Sequence, residues 1–132
     1  PRGGDEVNHT KKGHNYGWPL ITWGHVYQAR PVIPYPEAEG MEQPVVSWAP
    51  SPAVSDIEYY SGEAFPRWRG SFFVGSMKQR DLFRITVDGD RVTLVETLVH
   101  DLHRIRDIAT GPEGFVYLLT DSGDLVRLVP AG

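Results

Sequence analysis

Cysteine is absent from the 132 residues. That excludes disulfides and thiol chemistry, and it suits an exported protein with no need of covalent staples. No apolar run is long enough to cross a membrane. No ten-residue window keeps apolar residues at i, i+3, i+4 and i+7, so no amphipathic helix is expected. An excess of positive charge is also missing. The net charge is −4, which gives no footprint for nucleic acid. No signal peptide is visible, because the sequence opens on Pro1 inside a polar, Gly-rich segment, Pro1-Arg2-Gly3-Gly4-Asp5-Glu6.

Turn formers are abundant. The chain holds 14 glycines and 11 prolines, yet 40% of it is hydrophobic, so it reads as folded and turn-rich rather than disordered. Residues 1–50 read as a long loop region. Gly13-His14-Asn15-Tyr16-Gly17-Trp18-Pro19 is a turn cluster, and Pro31, Pro34, Pro36 and Pro44 exclude long helices and central strands there. Residues 51–132 read as short strands at 57–60, 71–76, 82–87, 92–98, 105–109, 115–120 and 125–129. Turn signals separate several of them: Asp88-Gly89-Asp90, Gly111-Pro112-Glu113-Gly114 and Asp121-Ser122-Gly123-Asp124. The expectation is an all-β antiparallel meander.

The meander repeats. Gly70-Ser71-Phe72-Phe73-Val74-Gly75-Ser76 and Asp81-Leu82-Phe83-Arg84-Ile85 return as Gly114-Phe115-Val116-Tyr117-Leu118-Leu119-Thr120 and Asp124-Leu125-Val126-Arg127-Leu128, 43 to 44 positions later. A period of roughly 40 to 45 residues, about four strands each, is the size of a β-propeller blade. Two blades cannot close a ring. The expectation is therefore a partial propeller, with the remaining blades N-terminal to residue 1 and absent from this sequence. Bare sheet edges would then leave the isolated chain marginal or aggregation-prone.

Arg104 and Arg106 open one strand and stand at i and i+2, the spacing that puts two side chains on one face. Lys78 follows a strand of the other unit, in Gly75-Ser76-Met77-Lys78-Gln79-Arg80. Three converging cations suit a small ligand with several carboxylates, since arginine forks bind carboxylates bidentately and lysine adds a point charge. The competing reading is a solvated face, or salt bridges to Asp101, Asp107 or Glu96. The loop ending at Glu6 is open to two readings also: a hard-cation site, or a turn with solvated carboxylates. The five histidines, His9, His14, His25, His100 and His103, show no metal-ligand spacing and read as surface or hydrogen-bonded groups. No Ser-His-Asp order or nucleophile elbow is visible. Trp18, Trp23, Tyr27 and Trp48 read as seals over loops, with one or two available to flank a planar ligand.

Taken in order, Pro1-Arg2-Gly3-Gly4-Asp5-Glu6-Val7-Asn8, Gly13-His14-Asn15-Tyr16-Gly17-Trp18-Pro19, Gly75-Ser76-Met77-Lys78 and Arg104-Ile105-Arg106-Asp107 closely resemble the C-terminal part of the soluble PQQ-dependent aldose sugar dehydrogenases, the glucose/sorbosone dehydrogenase family. The resemblance implies the C-terminal part of a six-bladed propeller with antiparallel four-stranded blades. It implies an exported, periplasmic or secreted enzyme that oxidises the C1 hydroxyl of aldose sugars to lactones. The cofactors implied are pyrroloquinoline quinone (PQQ) and Ca2+. On that resemblance Lys78, Gln79, Arg104, Arg106 and Tyr27 bind the quinone, and Trp48 lies on the substrate side. Pro1 would help hold a calcium that touches the cofactor, and Glu6 and Tyr16 would belong to a second, structural calcium site. The catalytic base is a histidine of an earlier blade, so no catalytic residue is expected in this chain and the isolated chain is expected to be inactive. Two departures stand out: Val54-Ser55-Asp56 replaces a common Pro-Ser-Gly, and the neighbourhood of Val26 replaces an acidic ligand. A homodimer of the parent and an unspecified electron acceptor complete the expectation. The alternative is a propeller that keeps the ring, has lost redox chemistry, and serves as a binding module.

Overall fold

The computed structural model describes residues 2–25 and 35–131. Pro1, Val26 and Tyr27 lie outside them, and with them the expectations placed on those residues. The chain divides into two compact units, Pro1–Pro52 and Ala53–Gly132.

In the first unit, two three-residue strands pair antiparallel: β1 (Asp5–Val7) and β2 (Val46–Trp48), with Glu6 opposite Ser47. Three residues are too few to show an alternating pattern, so neither strand is legible in the sequence. The Ser51 hydroxyl donates to Asp5 Oδ2 at 2.6 Å. The Gly17 turn is tight. Its carbonyl accepts from the amides of Leu20 and Ile21, and its φ of +98° belongs to glycine. A Cβ there would strike the buried Ile21 side chain. Trp18 does not seal a loop as expected: it is 71% exposed.

The second unit holds two antiparallel sheets. One is four-stranded in the order β3 (Val54–Tyr59), β4 (Phe72–Ser76), β5 (Leu82–Asp88), β6 (Arg91–Val99). The other is three-stranded: β7 (Ile105–Thr110), β8 (Val116–Thr120), β9 (Leu125–Leu128). The meander falls where the strand signals place it. Two things depart: β3 begins at Val54 rather than Ile57, and the second sheet shows three of the four strands expected of a blade among the described residues. A single turn of 3-10 helix, Pro66–Trp68, is the only helix among the described residues.

The pairing registers of the two sheets repeat down to a defect. A bulge interrupts β3 between Val54 and Asp56, and the matching bulge interrupts β7 between Ile105 and Asp107. Such an extra residue bends the strand and re-aims its side chains. The core lies between the sheets: Tyr60, Phe73 and Leu82 from the first, and Ile105, Ile108, Val116 and Leu118 from the second. Each such aliphatic or aromatic side chain contributes about 1.5–3 kcal/mol on burial. Gly75 permits the closest approach, because a Cβ there would sit 2.7 Å from Ile105 Cγ2. Polar ties cross the same boundary. The fully buried Tyr60 donates its hydroxyl to the Gly114 carbonyl at 2.7 Å and accepts the Phe65 amide at 3.0 Å. On the strand edge, Asp56 Oδ2 accepts the Ile108 amide at 2.8 Å, and Glu58 Oε1 accepts the Thr110 amide at 3.1 Å.

Candidate functional site

Register identifies which residues of the two sheets correspond. The Met77 amide donates to the Ala53 carbonyl at 2.8 Å, and the Asp121 amide donates to the Arg104 carbonyl at 3.0 Å. Arg104 therefore occupies the position of Ala53, Arg106 that of the bulged Ser55, and Asp121 that of Met77. Plain alternation along a strand is not what aligns the two arginines. Arg104 precedes β7 and Arg106 is the bulge residue itself. Between them Ile105 is fully buried and anchors the segment.

The guanidinium groups do converge. Arg104 Nε lies 2.7 Å from Asp121 Oδ2, and Arg106 Nε lies 2.5 Å from Asp121 Oδ1. One carboxylate thus holds two arginines, one oxygen for each. On their Nη edges both meet a soft acceptor, the Met77 sulfur, at 2.7 Å from Arg106 Nη1 and 3.7 Å from Arg104 Nη2. A thioether accepts only weakly. No second carboxylate among the described residues meets either guanidinium. Both arginine side chains remain 52% exposed.

The salt-bridge reading named the wrong acids. Asp101 pairs with Arg80, Glu96 takes Arg84 at 2.5 Å, and Asp107 is exposed with no cation partner among the described residues. The partner is Asp121, which looked like an ordinary turn residue in Asp121-Ser122-Gly123-Asp124. The available signal was the repeat itself, which sets Thr120-Asp121 against Ser76-Met77. Lys78 and Gln79 follow Met77 in an exposed bend, and Lys78 has no ion-pair partner among the described residues. The rim formed by 77–79, 104, 106 and 121 therefore carries three cations and one carboxylate. Ion pairs this exposed stabilise the fold by only about 0–1 kcal/mol. Their chief effect is to fix where the unused guanidinium edges point.

In the first unit, Glu6 on β1 accepts the Asn8 side-chain amide at 3.3 Å. Asn8 Oδ1 is buried and has no donor. A buried carbonyl oxygen without a donor, next to a carboxylate, is hard-cation chemistry, and calcium takes about six to eight such oxygens. Glu6 and Asn8 supply two of them. The Tyr16 hydroxyl donates to the His9 carbonyl at 2.8 Å and accepts the Lys11 amide at 2.6 Å, closing the loop that carries its backbone. No group of three or more His, Asp or Glu side chains gathers around a common point among the described residues. Trp48 lies half-buried on β2, opposite Asp5. His14 and His100 bond to carboxylates of Glu42 and Asp81, at 2.7 and 2.8 Å.

The sequence profile of the glucose/sorbosone dehydrogenases matches residues 1–127. The chain belongs to the glucose/sorbosone dehydrogenase family. It is 46% identical to the aldose sugar dehydrogenase YliI of Escherichia coli (strain K12), over 98% of this chain and 36% of that protein. A crystal structure of a glucose dehydrogenase superimposes with a TM-score of 0.89 at 44% identity, covering 100% of this chain and 39% of that one. A more distant likeness, 23% identical with a TM-score of 0.68, is to the PQQ-bound form of an aldose sugar dehydrogenase from Streptomyces coelicolor, and covers 95% of this chain and 36% of that one. The chain thus spans little more than a third of the length of these dehydrogenases. No helix among its described residues is long and apolar enough to cross a membrane.

Proposed function

We propose that the chain forms part of a six-bladed propeller, a PQQ- and calcium-dependent aldose sugar dehydrogenase that oxidises the C1 hydroxyl of aldoses to lactones. The observation that carries this reading is the pair Arg104 and Arg106, held on the single carboxylate of Asp121 with their outer edges on nothing harder than a sulfur. Two guanidinium forks and the nearby Lys78 form a cradle with surplus positive charge, suited to a planar ligand bearing carboxylates. Membership of a family whose relatives are sugar dehydrogenases supports the substrate class.

When bound, pyrroloquinoline quinone would supply the hydride acceptor and calcium the Lewis acid. Within this chain Lys78, Gln79, Arg104, Arg106 and Tyr27 hold the quinone, and Trp48 faces the sugar. Glu6 and Tyr16, with Asn8 added by its unpaired Oδ1, hold a structural calcium, while Pro1 contributes to the cofactor calcium. Arg104 and Arg106 bind carboxylates and keep positive potential where negative charge accumulates. Asp121 orients both guanidinium planes and so acts as a positioning residue. No histidine here takes the sugar's proton in this reading; that base lies in an earlier blade, and the isolated chain is inactive. Export to the periplasm, a homodimeric parent and a separate electron acceptor belong to the same proposal.

The test is titration of the full-length parent protein with PQQ over a range of calcium concentrations, followed by the cofactor's absorbance, with sugar-dependent dye reduction alongside. Arg106→Ala is expected to weaken PQQ binding roughly tenfold or more, the worth of a charge-assisted hydrogen bond. Absence of PQQ binding at any calcium concentration would overturn the dehydrogenase reading and leave a propeller whose arginines serve another anion.

A further inference from the structure

Arg104 and Arg106 are met from two sides by residues at equivalent positions of the two sheets. Asp121 takes their Nε edges, and its counterpart Met77 meets their Nη edges. The two contacts differ in kind. A carboxylate binds a guanidinium strongly, whereas a thioether sulfur accepts only weakly. The Nη edges are therefore the ones that a ligand's carboxylates can take over.

The backbone holds that sulfur in place. The Met77 amide donates to the Ala53 carbonyl at 2.8 Å. The preceding Ser76 is fully buried, and its hydroxyl donates to the Asp81 carbonyl at 3.1 Å. Met77 itself is only half-buried, and both arginine side chains beside it are 52% exposed, so a small solute can reach the sulfur. The chain's other methionine, Met41, is also half-buried and belongs to the first unit.

Thioethers are oxidised to sulfoxides. The sulfur gives an electron pair to one oxygen of hydrogen peroxide. An S–O bond forms, the O–O bond breaks, and the second oxygen leaves as water with both protons of the peroxide. Sulfur loses two electrons and the peroxide gains two. No charge is created on the side chain, but a soft acceptor becomes a polar oxygen acceptor tethered beside two N–H edges.

We propose that Met77 is a modification site for peroxide, and that its sulfoxide takes the Nη edges of Arg104 and Arg106 and so withdraws them from a carboxylate-bearing ligand. Asp121 keeps its own side of both guanidinium groups, so the arginines stay in place while the edges they offered are occupied. The change is reversible, because methionine sulfoxide is reduced back by dedicated reductases. A fall in quinone affinity rests on the cofactor reading above. The oxidation and the new contact do not.

The test treats the full-length parent protein with hydrogen peroxide. Trypsin releases Gly70–Lys78, in which Met77 is the sole methionine, so a mass gain of one oxygen atom on that peptide reads the modification. The peptide carrying Met41 reports general oxidation. Phenylglyoxal, which reacts with accessible guanidinium groups, is expected to label Arg104 and Arg106 roughly tenfold more slowly after oxidation, and PQQ to bind roughly tenfold more weakly, as for one charge-assisted hydrogen bond. Met77→Gln places an amide oxygen near the same edges and is expected to show both losses without peroxide. Met77→Leu has no sulfur, and peroxide is expected to leave its labelling and its PQQ affinity where they were. Three results would overturn the proposal: Gly70–Lys78 unoxidised while the Met41 peptide gains oxygen, oxidised protein whose arginines label as before, or a peroxide effect that persists in Met77→Leu. Untreated protein that binds no PQQ would sink the cofactor reading instead, and the labelling contrast alone would then decide the proposal.

Discussion

On the same bulged backbone, the first sheet carries Ala53, Ser55 and Met77 where the second carries Arg104, Arg106 and Asp121. The fold does not ask for the charges: a small aliphatic, a hydroxyl and a thioether satisfy the identical turn. What the second sheet adds is chemistry placed on a frame that the first sheet shows to be independent of it. The buried residue between the two arginines belongs to that frame, and the arginines do not.

The sharpest way to break the comparison is to give the second sheet the rim of the first. The double substitution Arg104→Ala, Arg106→Ser is expected to reduce PQQ affinity roughly a hundredfold or more, two charge-assisted contacts being lost. Its unfolding free energy should move by no more than about 1 kcal/mol, as for exposed ion pairs. Absorbance titration and urea unfolding on the same preparation check both. Loss of the fold would show the rim and the frame to be inseparable.

Next in size is the frame itself. Ile105→Ala opens a cavity against Gly75 and is expected to cost about 2–5 kcal/mol in urea unfolding. Its counterpart Val54 is only half-buried, and Val54→Ala should cost roughly 1 kcal/mol. Equal costs would mean that the two first strands are packed alike after all.

A smaller effect is expected at Asp121. Asp121→Asn makes the rim more positive, so a ligand held by bulk charge would bind more tightly. If Asp121 positions the guanidinium planes, anion affinity instead falls by roughly severalfold, and Asp121→Glu restores part of it. Titration with PQQ at two salt concentrations separates orientation from charge.

The smallest difference lies at Tyr117, which replaces Phe73 of the first sheet. Its hydroxyl donates to the exposed Glu113 carboxylate. That bond, with Glu113's own backbone amide, lowers the Glu113 pKa from its ordinary value, and the same bond raises that of Tyr117. The small stabilisation is whole between the two unfolded values. It is lost as pH falls through the depressed folded pKa of Glu113, and again as pH rises through the elevated folded pKa of Tyr117. Tyr117→Phe should flatten both limbs of a stability–pH profile measured by urea unfolding. Limbs that persist in the variant would assign them to other groups.

The sequence by itself determined the strands from Ile57 onward, because β-rich runs between Gly, Asp and Pro turns leave little else to form. It determined the repeat, because Phe72 to Ser76 and Val116 to Thr120 are matching β-rich runs, each followed by Asp-Leu and a further strand. It also marked Arg104, Lys78 and Arg106 as a set. It could not show β1 and β2, whose three-residue runs pair across nearly forty intervening residues. It could not show the bulge, since an extra unpaired residue leaves no trace in alternation, and the bulge is what swings Arg106 towards Arg104. It pointed to Asp101, Asp107 and Glu96 as partners, whereas chain reversal through β8 delivers Asp121. Nearness in space decided that ion pair, and nearness in space depends on which turn returns beneath which strand.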